Sequence, residues 1–261
     1  MGMLPSKKTP PKLEPADLTV LLYGRPKIGK SSMCSQAEGA LFLATEPGLN
    51  HLDVYQAPIS SWQQLLDAAA EIAKGGHPFR TLVLDTVDNA YRFCHEHVCA
   101  KNGIKHPSDL PYGKGHALVN NEFHRVITKL ASLPYGLFMT SHAQEREIEG
   151  RGGSYTKVTP ALPEGARKIL LGLVDIIVFA DLESERQGET QVTYRRVLRT
   201  KPAKHYEAGD RTGRLPETLP LDYAAFAAAL ASGQPTPAAT PPAKATPPTK
   251  ATQSTKPAKS G

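Results

Sequence analysis

Gly24-Arg25-Pro26-Lys27-Ile28-Gly29-Lys30-Ser31 is the stretch that decides the fold, because it fits G-x-x-x-x-G-K-[ST] at every fixed position. An apolar run over residues 18–23 precedes it and a helical pattern follows from Lys30, which is the strand-loop-helix context such a loop requires. Gly24 and Gly29 free the backbone to turn successive amide groups inward, and the helix N-terminus adds partial positive charge, so phosphate oxygens meet a ring of donors. Lys30 is placed to reach the β- and γ-phosphates, and the Ser31 hydroxyl to complete magnesium coordination. Arg25, Pro26, Lys27, Ile28 and Ser32 fill out the loop. The expected ligands are ATP and Mg2+. The plain alternative is a glycine-rich strand-to-helix turn that holds no nucleotide.

On either side of this loop, short apolar runs alternate with helical patterns, the rhythm of an α/β fold with a mainly parallel twisted sheet flanked by helices. Strands are expected over 18–23, 40–44, 81–85, 136–141 and 175–180, and helices over 30–38, 62–74, 90–101, 116–133 and 164–172. The helix over 62–74 is clearly marked: Trp62, Leu65, Leu66, Ala69 and Ile72 recur at helical spacing, and Gly75-Gly76 stops it. Residues 191–199 alternate like an exposed strand after the turn-like Arg186-Gln187-Gly188-Glu189, which predicts a C-terminal β-hairpin appended to the sheet. An amphipathic helix over 223–230 closes the ordered part.

Three further positions carry the expected chemistry. Thr81-Leu82-Val83-Leu84-Asp85 puts an acid at the end of a buried strand, where Asp85 holds the magnesium ion through its water shell or, more plainly, caps the next helix. Thr86 and Asp88 follow it, near the phosphates or as caps. Glu46, after the second strand, is either the base that orients water for hydrolysis or the cap of a turn made by Pro47-Gly48. His142 ends the fourth strand, as a sensor of the γ-phosphate or simply a polar strand end.

Composition bounds the rest. The chain has 261 residues, a net charge of +6 and a pI near 9.1, which favours an anionic partner. Residues 1–16 read as a flexible leader, 17–231 as one ATPase domain, and 232–261 as a disordered, basic Pro/Ala/Thr/Lys tail. No apolar run approaches the length of a membrane span, and the 3 cysteines make no disulfide framework, so a reducing cytoplasm is the expected compartment. Met1-Gly2-Met3-Leu4-Pro5-Ser6 formally fits a myristoylation pattern, which by itself anchors weakly. Cys94-His95-Glu96-His97-Val98-Cys99 invites a zinc reading, but the second paired cluster of a structural site is missing, and an inward helix face explains Cys94 and Val98.

The order of parts resembles the RecA-like recombinase core, and within it the short phage-encoded RecA-like ATPases of single-strand annealing and homologous recombination. The pieces that carry the resemblance are GRPKIGKSS (24–32), ATEPGLNHLD (44–53), TLVLDTVDN (81–89), YGKGHALVNNEF (112–123), MTSHAQERE (139–147) and AGDRTGRLP (208–216). It implies Glu46 as catalytic glutamate, His142 as sensor and a bacterial host cytoplasm as the setting, and makes 145–167 a mobile DNA-binding loop, the plain alternative being an ordinary solvated loop whose Glu145, Glu147, Glu149 and Glu164 cancel part of its charge. That loop contains Arg146, Arg151, Tyr155, Lys157 and Arg167, basic residues and a ring suited to salt-dependent, sequence-neutral binding of single-stranded DNA. It also implies a homo-oligomer in which Arg199, Lys201, Lys204 or Arg211, with Arg214 as a further choice, reaches the neighbour's phosphates. A single-strand-binding protein is a further expected partner. Two rival functions share the loop: a nucleotide-gated adaptor or loader with slow hydrolysis, and a small-molecule phosphotransferase, for which no acceptor site is recognisable.

Overall fold

The computed structural model describes residues 4–150, 152–187 and 191–233. Along the chain the elements are β1 Thr19–Gly24, α1 Lys30–Cys34, β2 Ala40–Ala44, β3 Tyr55–Pro58, α2 Trp62–Lys74, β4 Thr81–Asp85, α3 Val87–Lys101, α4 Lys114–Ala131, β5 Gly136–Gly150, β6 Gly153–Pro160, α5 Glu164–Leu173, β7 Ile176–Gln187, β8 Gln191–Arg199, β9 Gly209–Asp210, β10 Thr218–Pro220 and α6 Tyr223–Ser232. They build a 10-stranded sheet in the order β10-β8-β7-β1-β5-β4-β2-β3, with β6 on β5 and β9 on β7. The stretch from β7 to β3 pairs in parallel. The strands β6, β8, β9 and β10 join antiparallel.

β1 is central and buried along its whole length. Its residues divide between two cores: Leu21 packs with Leu65, Phe123 and Leu170 beneath α2 to α5, while Val20 and Leu22 pack with Met33 and Phe226 beneath α1 and α6. A strand covered on both faces has no polar face to show, which is why β1 and β4 read as unbroken apolar runs. The expected α/β class follows from this arrangement, as does the appended hairpin of β7 and β8. Among the described residues no helix is long and apolar enough to cross a membrane.

Three expectations need correction, and one strand was not expected. The stretch 145–167 is no mobile loop: β5 runs on past His142 to Gly150, β6 pairs back along it, and α5 begins at Glu164. β3, a four-residue edge strand held by backbone pairing with β2, carries no apolar alternation and so left no pattern to read. α1 stops at Cys34 rather than residue 38, because the Ser35 hydroxyl bonds back to Ser32 O and the next amides close tighter turns onto Met33 O and Cys34 O. The end of the leader is ordered, with Pro15–Asp17 forming a 3-10 turn whose Ala16 is buried beside Gly136. The expected basic tail from residue 234 on and the candidate Arg151 lie outside the described residues.

Candidate nucleotide site

The C-terminal ends of β1, β2 and β4, and β5 at His142 where its pairing with β1 stops, open onto one cavity of about 550 Å³, lined among others by Lys30, Ser31, Glu46, Asp85, Thr86 and His142. β1 delivers the phosphate loop. A Cβ on Gly24 would lie 2.6 Å from Ala180 O, so only glycine lets β1 and β7 close together where the loop begins. Gly29 takes φ 113°, a conformation that favours glycine, and hands the chain to α1. Lys30 follows, almost fully buried, with Nζ donating to Gly24 O at 3.0 Å and Arg25 O at 3.1 Å. Burial holds its ammonium below the ordinary lysine pKa, against the upward pull of Asp85. Behind the loop, Arg196 from β8 donates Nη1 to Ile28 O at 3.3 Å.

Asp85 is buried at the end of β4 and held by two hydroxyls. Ser31 Oγ donates to its Oδ2 at 2.7 Å, and Thr140 Oγ1 from β5 donates to its Oδ1. A serine hydroxyl beside a carboxylate is a set of hard oxygen donors, matched to magnesium rather than to a soft metal. The loop bent through positive φ at Lys27 and Gly29, the buried ammonium and this oxygen pair together fit a magnesium-bound triphosphate. The cap of the following helix is Thr86, so Asp85 is not needed for that role.

Glu46 stands beyond β2, on a chain end pinned to β4: Thr45 Oγ1 donates to Thr86 O at 2.8 Å and accepts from Thr86 N at 2.7 Å. Its carboxylate accepts from Asn89 Nδ2 at 2.9 Å and lies 4.0 Å from His142 Nε2. Burial raises its pKa above the usual carboxylate value, while His142 pulls it down. The His142 pKa is raised, chiefly by the hydrogen bond to Asp88 and against the desolvation it suffers.

The candidate DNA-binding residues gather on the β5–β6 hairpin and α5. Directly paired residues share a face of a hairpin. The register Arg146↔Lys157 and Ile148↔Tyr155 therefore puts the basic and aromatic residues on one face. Glu145↔Val158, Glu147↔Thr156 and Glu149↔Ser154 put the glutamates on the other. Charges that cancel in the sequence are separated in space. Arg146 donates to Leu162 O at 2.6 Å and feels the charge of Arg167. Lys157 pairs with Glu207 at 3.1 Å.

The candidate trans-acting cations are dispersed and engaged within their own chain. Arg199 bridges Glu183 at 3.0 Å and Asp181 at 3.5 Å, and Lys201 faces Asp210 at 3.6 Å. Lys204 sits over the Tyr155 ring, 4.7 Å from its centroid, so it belongs to the hairpin surface. Arg211 lies near Asp175 at the start of β7, where it donates to Leu173 O and Gly172 O, and Arg214 caps α6 through Leu230 O. Cys94 is buried, its Sγ within 3.7 Å of Val119 O, and burial pushes its thiol pKa up.

Sequence reasoning missed Thr140, Asn89 and Arg196. Only Thr140 left a usable signal, a hydroxyl residue inside a buried strand next to the acid-bearing one; Asn89 and Arg196 are placed by contacts distant in sequence.

A family model described as an AAA domain (AAA_24) matches residues 16–212. The chain is 24% identical over 162 residues to the SPbeta prophage-derived uncharacterized protein YorG of Bacillus subtilis (strain 168), covering 60% of this chain and 47% of that relative. It thus spans about half the relative's length. A solved KaiC-like protein from the archaeon Pyrococcus horikoshii OT3 aligns over 70% of this chain and 78% of its own, with 13% identity and a TM-score of 0.42.

Proposed function

The chain belongs to the AAA domain family matched over residues 16–212, a family of P-loop NTPases, and on that premise we propose that it is an ATPase with a RecA-like core acting on single-stranded DNA in phage recombination or annealing. The observation that carries the ATPase reading is the meeting of Lys30, the Ser31–Asp85 pair, Glu46 and His142 in one cavity at four strand ends. Loop amides and Lys30 hold the phosphates, and Ser31 and Asp85 hold magnesium. Bound ATP and magnesium supply the transferable phosphoryl group and the charge neutralisation it requires. Glu46 takes the proton from the attacking water, a task for which its raised pKa makes it a stronger base than an exposed carboxylate. His142 faces the cleft from within β5, at the point where the pairing with β1 stops, and responds to the γ-phosphate.

The charge-sorted hairpin supports the DNA reading. One face of the hairpin gathers Arg146, Tyr155, Lys157 and Lys204, cations and a ring of the kind that contact single strands; it is the half-buried face, with Lys157 paired to Glu207 and Lys204 lying over Tyr155, and Glu145, Glu147 and Glu149 occupy the exposed opposite face. A prophage-derived relative supports the phage setting and, with it, the bacterial host cytoplasm. Assembly into a homo-oligomer with a cation from the neighbour, and contact with a single-strand-binding protein, complete the proposal. Sedimentation with ATP, Mg2+ and oligo-dT tests assembly, and a chain that stays monomeric throughout overturns that part.

ATP turnover measured with and without single-stranded DNA, at low and moderate salt, tests the function. DNA stimulation that salt weakens is expected. Turnover untouched by DNA at any salt removes the DNA reading and leaves the slow adaptor. Turnover that survives Lys30→Ala removes the nucleotide assignment itself.

A further inference from the structure

The first turn of α3 touches both side chains to which the chemistry has been assigned. Asp88 and Asn89 are consecutive, and each reaches a different strand end. Ser141 Oγ donates to Asp88 Oδ1 at 2.6 Å, His142 N donates to Asp88 Oδ2 at 2.7 Å, and His142 Nδ1 lies 3.0 Å from the same oxygen. Asn89 holds Glu46. We infer that Asp88 is a positioning residue for hydrolysis: it fixes the imidazole of His142 through Nδ1 so that Nε2 faces Glu46 and the cleft, while Asn89 fixes the carboxylate opposite. The inference rests on the proposed ATPase reading.

The ordinary role of an acid in a helix's first turn is to meet the free amides there. At α3 that work falls to Thr86, the N-cap whose side chain accepts from Asn89 N. Both oxygens of Asp88 are turned instead across to β5, and its side chain is only 15% exposed. A carboxylate that accepts from Nδ1–H selects one tautomer, leaving Nε2 to accept a proton or, once protonated, to donate. The groups facing His142 are Asp88 from α3, Glu46 from the end of β2 and Lys30 from α1, and Lys30 alone opposes its protonation electrostatically. Base and sensor are therefore held by consecutive residues of a single helical turn, and a loss at Asp88 should alter how His142 is held without removing any group that holds phosphate.

The wild-type protein, free of nucleotide, carries the first test. Long-range 1H–15N spectra of the histidines, with His142 assigned through His142→Asn, should show its neutral form protonated at Nδ1. A neutral form protonated at Nε2 overturns the inference whether or not the protein hydrolyses ATP. The second test is Asp88→Asn, for which we expect kcat to fall about 10- to 100-fold, the range for removing a partner that orients a histidine, with KM for ATP within about twofold. The His142 titration midpoint should move down in the same variant. An unchanged midpoint and kcat, in a preparation where Lys30→Ala still abolishes turnover, refutes the positioning role while sparing the ATPase reading. If instead Lys30→Ala leaves wild-type turnover intact, the ATPase reading fails and the tautomer alone judges the Asp88–His142 pair.

Discussion

Removing one oxygen from Tyr23 asks whether the strand that carries the phosphate loop is tied to the hairpin. The Tyr23 hydroxyl is fully buried, accepts from Glu207 N at 2.8 Å and donates to Glu207 O at 2.7 Å, with Val158 O at 3.3 Å. Burial drives the phenol's pKa far above its ordinary value, so the group is neutral and able to do both. Tyr23→Phe keeps the ring stacked on Phe179 at 5.0 Å between centroids but strips Glu207 of its partner. A buried polar group left unsatisfied costs about 1–3 kcal/mol. Glu207 N retains a longer bond to Val158 O at 3.3 Å, which pulls the expected loss toward the middle of that range. A loss of about 2 kcal/mol lowers Tm by about 4–8 °C in a domain of this size. Urea denaturation should show the midpoint falling with the m-value unchanged, and hydrogen exchange should quicken at residues 155–158 and 203–207. A stability change under about 0.5 kcal/mol, within the scatter of a neutral surface substitution, refutes the tie.

Other outcomes follow from the same geometry. In fluorescence anisotropy with oligo-dT across a salt series, Lys204→Gln and Lys157→Gln should each reduce the salt slope by about 0.7, one phosphate contact on a single strand, whereas Glu147→Gln should leave it in place or strengthen binding; an equal loss at Glu147 ends the two-face account. Because Asp88 raises the His142 pKa above 6.5, this histidine adds stability that is complete below pH 6.5 and is lost as pH rises through its folded value. Urea midpoints of wild type and His142→Asn should therefore differ more at pH 6 than at pH 9, and a gap that widens with pH contradicts the pairing. Glu46 has the opposite sense: its pKa is raised by burial, so its charge is a burden on the fold at neutral pH, and Glu46→Gln should melt higher while binding ATP and losing turnover. A lower melting temperature, or loss of ATP binding, makes Glu46 a structural part.

What could be read from sequence depended on how local the causes were. The phosphate loop, β4 with Asp85, and α2 were legible because each is fixed by neighbours in the chain: a motif with its flanks, an apolar run, a helical period closed by glycines. The β5–β6 hairpin was hidden for a different reason. Its charges, Glu145, Arg146, Glu147 and Glu149, read as a solvated loop, and only pairing gives the alternation meaning. The segment Gly150-Arg151-Gly152-Gly153 between two alternating stretches is a turn signal of the kind a hairpin carries, whereas the resemblance implies a mobile loop there. The edge strand β3 and the contacts of Asn89 and Arg196 depend on residues far away in the chain, and no window on the sequence contains them. The engaged state of Arg199 and Lys201 likewise follows from β7 and from Asp210, which sequence spacing does not relate to them.

The hairpin matters because β5 is one strand with two ends of different character. At one end Thr140 grips Asp85 and His142 meets Asp88 and Glu46; farther along the same strand Arg146 and Ile148 lie on the basic, aromatic face. A second tie runs from the phosphate-loop strand through Tyr23 to Glu207, which also holds Lys157. Two ligands influence each other only through an element whose arrangements they favour unequally, and β5 with its Tyr23 brace is the element both would share. If it has two arrangements, linkage fixes the relation between them: whatever factor single-stranded DNA applies to ATP affinity, ATP must apply to DNA affinity. Tyr23→Phe loosens the brace while touching neither ligand's contacts. The coupling factor should therefore shrink in that variant while each ligand, alone, still binds.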